Sequence, residues 1–274
     1  MGKFDGIMIC SDLDGTLLNE DSVVPQNNVD AIEYFKSEGG VFTFVTGRMP
    51  WFVREIYDVA HPNAPIGCIN GGGVYDFATD TYLWTRELSR DVLELIEYAM
   101  AEVEGIGVQI NTFDTVYFCA ENSAMEGFRR ITGVPNCQTT CRSVDQPFAK
   151  ILFGDEREAA IERLAELLPK HPKAGAFDFV RSHSTLYEIL PRGIHKGILL
   201  PKIAEYKGID MRHTIAVGDY NNDIGMLRTA AIGIAVQNAL PEVKAVADHV
   251  TASNEEGAIA RIIEDLDRGV LAFS

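Results

Sequence analysis

The chain has 274 residues, of which 46% are hydrophobic and 23% charged, and its formal net charge is −16. This composition fits a folded globular protein of one large or two modest domains, and the negative charge argues against nucleic acid as a partner. No apolar run is long enough for a membrane span, the N-terminus does not resemble a secretory signal, and five scattered cysteines predict reduced thiols, so we expect a cytoplasmic protein.

Apolar runs and helical patterns alternate in the first third of the chain, which is typical of an α/β domain. The predicted elements are strands at 6–10, 41–45 and 66–69, a helix between Pro25 and Gly39, and a hairpin at 74–77 and 82–84.

From residue 86 to residue 190 the strands arrive in pairs, which indicates a separate α+β block. The predicted elements here are helices at 91–104, 124–130 and 156–168, a strand at 151–153, and strand pairs at 108–112 with 116–119 and 177–181 with 185–190.

The α/β alternation resumes after Pro191. The predicted elements are helices at 196–206, 224–229 and 255–266, the last capped by Ser253 or Asn254, and strands at 214–217 and 232–236. We therefore predict a doubly wound, mainly parallel, Rossmann-like sheet core built from residues 1–85 and 191–274. Residues 86–190 are predicted to form an inserted α+β cap domain.

The first chemical motif follows the first strand and reads Ser11-Asp12-Leu13-Asp14-Gly15-Thr16-Leu17-Leu18. Residues two apart in extended chain point the same way, so Asp12 and Asp14 can face one reaction centre. Two carboxylates this close repel each other, and a bound Mg²⁺ would neutralise them. A bare pair of aspartates is more often an acidic turn, but the longer motif at the end of a buried strand favours a site.

Thr46 and Gly47, within Val45-Thr46-Gly47-Arg48, follow the second strand. A hydroxyl and backbone N–H groups at that position could hold phosphoryl oxygens. The alternative is a simple turn in which Thr46 caps a helix and Arg48 is solvated.

Lys196 lies near glycines at a predicted helix start. A cation is unfavourable at a helix N-terminus, so this lysine requires a nearby anion. Lysines are, however, most often solvated surface residues. The six histidines show no metal-ligand spacing, and none is predicted to be catalytic.

The last motif, Val217-Gly218-Asp219-Tyr220-Asn221-Asn222-Asp223, follows the strand at 214–217. Asp219 and Asp223 could supply the oxygen ligands that Mg²⁺ prefers. The alternative is an asparagine- and aspartate-rich turn before a helix. All four motifs are expected at strand ends or helix starts that one cleft would bring together.

The order of these motifs resembles the haloacid dehalogenase-like hydrolase superfamily, and within it the Cof-type phosphatases. The resemblance covers essentially the whole chain and includes a cap inserted between the second and third motifs. It implies a phosphoric monoester hydrolase with Mg²⁺ as cofactor and a small-molecule phosphate ester as substrate.

The resemblance also implies a role for each site residue. Asp12 would be the nucleophile that forms an aspartyl-phosphate, and Asp14 the general acid and base. Mg²⁺ would be held by Asp12, the backbone carbonyl of Asp14 and Asp219, with Asp223 in support. The phosphoryl group would be held by Thr46, Gly47, Lys196 and Asn222.

Two other functions stay open at this point. A phosphosugar mutase shares the scaffold and a similar cap, and a non-catalytic phosphate-ligand-binding protein would keep the fold. Retention of both Asp12 and Asp14 favours an enzyme over the binding protein. Sugar phosphates are the first expected substrates, and neither the cap residues that select them nor the oligomeric state follows from the sequence.

Overall fold

The computed structural model describes residues 2–273, and the chain divides into two compact units. Unit 1 combines residues 1–85 with 195–274, and unit 2 spans 86–194. The second boundary thus lies four residues beyond the position expected from the sequence.

Thirteen strands occur in the described residues: β1 Met8–Ser11, β2 Val41–Phe44, β3 Ile66–Cys68, β4 Gly73–Asp76, β5 Thr81–Thr85, β6 Gly107–Thr112, β7 Val116–Ala120, β8 Phe148–Gly154, β9 Phe177–His183, β10 Leu186–Pro191, β11 Thr214–Gly218, β12 Ile232–Ala235 and β13 His249–Val250. Over the same residues the α-helices are α1 Gln26–Ser37, α2 Arg54–Ala60, α3 Val92–Glu102, α4 Ser123–Thr132, α5 Glu158–Leu167, α6 Leu199–Lys207, α7 Ile224–Thr229, α8 Pro241–Lys244 and α9 Ala258–Asp267. No helix within residues 2–273 is long and apolar enough to cross a lipid bilayer.

Unit 1 contains a five-stranded sheet in the order β13-β12-β11-β1-β2, and every neighbouring pair is parallel. The strands β1, β2, β11 and β12 are buried at every residue, as expected for a parallel sheet covered on both faces. The predicted Rossmann-like core is confirmed. The chain runs from β1 to β2 on one side and from β11 to β13 on the other, so the switch in strand order lies between β1 and β11.

A second, three-stranded antiparallel sheet of unit 1 has the order β3-β4-β5 and contains the predicted hairpin. Between β3 and β4 the chain turns sharply, with Ile69 and Asn70 both at positive φ. This left-handed backbone is uncommon outside glycine and is held by hydrogen bonds from the Ile69 and Asn70 N–H groups to the carbonyls of Arg48 and Thr46.

Unit 2 has an antiparallel sheet in the order β7-β6-β8-β10-β9. Both predicted strand pairs are present, and β8 joins them at the centre. A hydrophobic cluster that includes Ile96 of α3, Phe153 of β8 and Ile161 of α5 forms the core of this unit.

Three differences between the sequence predictions and the structure have a local physical reason. The helix α2 was missed, because its seven residues bury only Ala60 and give little apolar periodicity. The last helix begins at Ala258 rather than 255, since Gly257 takes a left-handed conformation and Asn254 donates to the Leu18 carbonyl instead of capping. The helix expected at 196–206 begins as a 3-10 turn, Lys196–Ile198, before α6.

Candidate active site

The carboxyl ends of β1 and β11 bring two of the predicted motifs together at the switch point. Ser11 and Val217 are paired in register, so Asp12 and Gly218 leave adjacent strands at the same edge. The Asp12 N–H donates to the Val217 carbonyl at 2.8 Å, which fixes the backbone of Asp12 beside the loop that carries Asp219. This is the edge at which open α/β sheets bind ligands.

Lys196 lies between two of the predicted carboxylates. Its Nζ is 2.6 Å from Asp12 Oδ1 and 2.6 Å from Asp223 Oδ1, and its side chain is 1% exposed. Asp223 Oδ2 accepts hydrogen bonds from the backbone N–H groups of Asp219 and Tyr220, at 3.0 Å each. Asp223 therefore shapes its own loop and anchors the lysine.

Asp219 faces the first motif from the opposite loop. Its Oδ1 accepts a hydrogen bond from the Thr16 hydroxyl at 2.9 Å. Gly15 has a φ of 74°, and a Cβ on it would come within 2.5 Å of Asp219 Oδ2. Glycine is required here both for the left-handed turn and for the close approach of the carboxylate.

Negative charge is in excess at this cluster. Asp12, Asp219 and Asp223 supply three carboxylates, while Lys196 is the ammonium group that bonds to two of them. Burial and the charge of Asp223 raise the pKa of Asp12 well above its usual range, and the same causes raise the pKa of Asp219 to about 7. Burial opposes the charge of Lys196, but the two carboxylates outweigh it and raise the pKa of this lysine. Perturbed carboxylates of this kind mark functional sites.

The donor set suits a metal ion. One carboxylate oxygen from each of Asp12, Asp219 and Asp223 lies within 4.8 Å of the others. Carboxylate oxygens are the ligands of hard divalent cations, and a cation of charge two would balance the excess. The residues present therefore fit a bound divalent cation.

The Asp14 side chain lies outside this trio. Its oxygens accept two hydrogen bonds from Arg48, from Nε at 3.0 Å and from Nη2 at 2.5 Å. The Asp14 carboxylate is about half exposed, so it pairs with the guanidinium at the edge of the site instead of with Lys196. Arg48 is thus not simply solvated, and its bidentate fork fixes the carboxylate in one orientation.

The other predicted phosphate-binding residues meet around Asn70. A Cβ on Gly47 would come within 2.8 Å of the Asn70 amide, and Asn222 Nδ2 donates to Asn70 Oδ1 at 3.0 Å. Thr46 is buried, and its hydroxyl oxygen accepts from the Arg48 N–H at 3.1 Å, which leaves the hydroxyl proton to be donated. In the described part of the chain, Asn222 Oδ1 is buried with no hydrogen-bond partner, so this oxygen can accept a hydrogen bond from a donor group of a ligand, whereas a phosphoryl oxygen could only meet the Nδ2 side of the amide.

Sequence reasoning gave no site role to Thr16 or Arg48. Thr16 and Arg48 stand inside the two motifs that were recognised, and their partners Asp219 and Asp14 are carried by other loops. Asn70 precedes the run Gly71-Gly72-Gly73, a turn signal that marked the position without giving its contacts.

Residues 9–263 match the family of haloacid dehalogenase-like hydrolases. The chain belongs to this family. The predicted superfamily and its Cof-type branch are confirmed, and so is the enzyme class, phosphoric monoester hydrolase. One curated relative is the 5-amino-6-(5-phospho-D-ribitylamino)uracil phosphatase YitU of Bacillus subtilis (strain 168). It is 28% identical over 279 residues, which cover 94% of this chain and 96% of the relative.

Solved structures of this hydrolase family share the fold. A haloacid dehalogenase-like hydrolase from Bacteroides thetaiotaomicron superposes with a TM-score of 0.83 at 21% identity, over 96% of this chain and 99% of that one. The sugar phosphatase BT4131, described as a member of subclass IIB, gives a TM-score of 0.81 at 20% identity, over 97% and 100%.

Proposed function

We propose that this hydrolase is a Mg²⁺-dependent phosphatase of small phosphate monoesters, sugar phosphates or related phosphometabolites. The observation that carries the proposal is the cluster of Asp12, Asp219 and Asp223, in which three carboxylates, two of them buried, face the single ammonium of Lys196. The substrates named for the phosphatase YitU and for BT4131, both small phosphorylated or sugar compounds, support this class.

Asp12, Asp219 and Asp223 would hold the Mg²⁺, with the backbone carbonyl of Asp14 as a further predicted ligand. Bound there, the ion supplies positive charge that neutralises the carboxylates and the oxygens of the phosphoryl group. Lys196 keeps Asp12 in place by its 2.6 Å contact and contributes a second positive charge.

Asp12 is the proposed nucleophile. Its carboxylate attacks phosphorus, the bond from phosphorus to the ester oxygen breaks, and an aspartyl-phosphate forms on Asp12. The leaving alcohol takes a proton from Asp14, which later removes a proton from the water that hydrolyses the intermediate. The Asp14 carboxylate is half exposed and oriented by Arg48, so it is accessible to a leaving group and to water.

The phosphoryl oxygens are proposed to accept hydrogen bonds from the Thr46 hydroxyl, the backbone N–H of Gly47 and the side-chain N–H of Asn222. These contacts would position the phosphoryl group for attack without further covalent chemistry. Because such residues contact only the group common to all esters, unit 2 is proposed to act as the cap that selects among substrates.

The experiment is a phosphate-release assay on a panel of sugar phosphates and p-nitrophenyl phosphate. We expect turnover with Mg²⁺, its loss after exhaustive chelation, and its return on adding Mg²⁺ but little return with Ca²⁺, whose coordination is larger and looser. Calorimetric titration of Mg²⁺ into the chelated protein provides a readout independent of activity. Full turnover after chelation would contradict the metal assignment. A sugar-phosphate isomerisation assay on the same panel tests the mutase alternative.

A further inference from the structure

Two neighbouring side-chain amides of unit 2 are buried with unused hydrogen-bonding capacity. Gln109 and Asn111 of β6 are at most 1% exposed. Gln109 Nε2 donates to Asn111 Oδ1 at 3.4 Å, whereas Gln109 Oε1 and Asn111 Nδ2 are buried and have no hydrogen-bond partner among residues 2–273. Buried polar atoms without a partner destabilise a fold, so native proteins contain few of them. These two atoms therefore require an explanation other than folding.

The two amides lie on the face of the unit 2 sheet that is opposite to the hydrophobic core. Along β6 they alternate with Val108 and Ile110 of that core, and successive side chains of a strand point to opposite faces. The strand register places Lys150 of β8 directly opposite Asn111. Glu188 of β10 alternates with core residues in the same way, and Lys150 donates a hydrogen bond to it. Polar side chains of three adjacent strands thus share this face.

The charges on this face cancel. Among the positions of β6, β8 and β10 that point this way, Lys150 and Glu188 are the charged residues, and Lys150 Nζ lies 3.0 Å from Glu188 Oε2. A phosphate or carboxylate group of a ligand would add negative charge beside an ammonium that Glu188 already neutralises, and a buried charge without its own partner is costly. The face therefore favours an uncharged ligand group over an anion.

The two amide atoms without partners are complementary to a hydroxyl group. An alcohol both donates and accepts, so one hydroxyl can donate to Gln109 Oε1 and accept from Asn111 Nδ2. If both amides were turned end for end, the pair would still offer one donor and one acceptor. An apolar ligand group would leave both atoms unpaired, and an anion would satisfy the donor alone.

We propose that Gln109 and Asn111 bind a hydroxyl group of the sugar or sugar-alcohol part of the phosphate ester. This assignment rests on the proposed phosphatase activity and specifies its substrate class: monophosphates of uncharged sugars and sugar alcohols, in preference to bisphosphates and phosphorylated acids. A site that hydrogen-bonds a substrate hydroxyl discriminates strongly against an ester without it, because the buried amide atoms are then left unpaired. Gln109 and Asn111 are in this way specificity determinants of unit 2.

The first test compares esters on the wild-type chain in the presence of Mg²⁺. The panel contains sugar and sugar-alcohol monophosphates, a hexose bisphosphate, and hexyl phosphate, whose alkyl chain carries no further hydroxyl. We expect kcat/KM for the best sugar or sugar-alcohol monophosphate to exceed that for hexyl phosphate and for the bisphosphate by at least about tenfold. Among deoxy analogues of the best substrate, one should show a similar loss and identify the hydroxyl that is bound.

Two outcomes on the wild-type chain have different meanings. If hexyl phosphate or the bisphosphate is hydrolysed as well as every sugar and sugar-alcohol monophosphate, the hydroxyl site is wrong while the phosphatase function stands. Absence of turnover on every ester, p-nitrophenyl phosphate included, contradicts the phosphatase function and this assignment with it.

The second test replaces the amides by apolar side chains of similar volume in Gln109→Met, Asn111→Leu and the double variant. We expect each single variant to lower kcat/KM for the best substrate by about tenfold, and to change that for hexyl phosphate by less than about twofold. The deoxy analogue should lose little further in the variants, because its missing hydroxyl and the missing amide belong to one interaction. The double variant removes the unpaired polar atoms from the interior, so its Tm should not fall.

Gln146→Met is the matched control, since it makes the same change at an exposed glutamine of unit 2 and should alter neither the rates nor the Tm. Turnover of hexyl phosphate reports whether each variant is folded. Equal losses on the sugar phosphate and on hexyl phosphate, together with a lower Tm of the double variant, would assign the amides a purely structural role and overturn the proposal. Variants that keep the wild-type preference for the sugar phosphate would also overturn it.

Discussion

The two units each bury a lysine against carboxylates, but with different charge balances. In unit 1, Lys196 meets Asp12 and Asp223, and Asp219 completes a group of three carboxylates. In unit 2, Lys150 Nζ lies 3.0 Å from Glu188 Oε2, with both side chains at most 9% exposed. The first cluster carries an excess of negative charge, whereas the second is neutral.

The difference in charge balance distinguishes the candidate binding site of unit 1 from the ion pair of unit 2. Lys150 and Glu188 carry opposite charges that cancel, so this pair by itself leaves no excess charge for a bound cation to balance. Two buried carboxylates and a partly buried one beside one ammonium are not compensated, and burial together with the charge of Asp223 raises the pKa of both Asp12 and Asp219. The excess charge is what makes the unit 1 cluster a candidate for a cation and for catalysis.

The largest expected effect comes from Asp12→Asn. The carboxamide has nearly the same volume but is a poor nucleophile, so kcat should fall by at least about 10⁴-fold. Circular dichroism should be unchanged, because the substitution also removes one of the repelling charges. Asp210→Asn makes the same chemical change at an exposed aspartate of unit 1 that pairs with Arg212, and it should keep normal turnover. Near-normal kcat in Asp12→Asn would remove the covalent mechanism.

The unit 2 pair is broken by Lys150→Met, which leaves Glu188 buried beside an apolar side chain. We expect the free energy of unfolding to fall by about 3–5 kcal/mol. The double variant Lys150→Met/Glu188→Leu replaces the pair by apolar groups and should recover most of that loss. Urea denaturation followed by circular dichroism measures both. If the double variant is no more stable than the single one, the loss of stability does not come from the unpaired charge of Glu188.

A smaller effect is expected from Gly15→Ala, which places a methyl group against the Asp219 carboxylate. Displacement of this ligand should weaken Mg²⁺ affinity by about 10- to 100-fold, the range seen when the support of a metal ligand is lost. Gly6→Ala is the control, since Gly6 has a similar φ of 81° but nothing within 4 Å of the added Cβ. If calorimetry gives equal Mg²⁺ affinities for the two variants, the loss of affinity comes from backbone strain alone and not from displacement of Asp219.

The smallest effect on stability is expected from Arg48→Met. The pair of Arg48 with Asp14 is partly exposed, so the free energy of unfolding should change by less than about 1 kcal/mol. Turnover of a sugar phosphate should fall by roughly tenfold, because Asp14 loses the fork that orients it. With p-nitrophenyl phosphate, whose leaving group needs no proton, the loss should be smaller. Arg212→Met breaks another exposed ion pair of unit 1 and should change neither rate. If turnover falls equally on both substrates, Arg48 does not act by orienting Asp14 as the general acid.

Much of the fold follows from local pattern. Mainly apolar runs at 6–10, 41–45 and 214–217 match β1, β2 and β11 closely, because parallel strands are buried on both faces and need no alternation. Elements that bury little were not predictable in this way. The helix α2 has one buried residue, and β13 has none. Their positions are set by contacts with the rest of the unit.

The sequence by itself determined which chemical groups stand at the strand ends, since each motif is a short stretch whose residue types limit what it can do. Asp12, Thr46, Lys196 and Asp219 were all predicted as site residues in this way. Only the tertiary structure decided how these groups pair. Lys196 meets Asp12 across 184 positions of sequence, and Thr16 meets Asp219 across 203. The charge balance of a buried cluster depends on such long-range contacts, and local sequence pattern does not encode them.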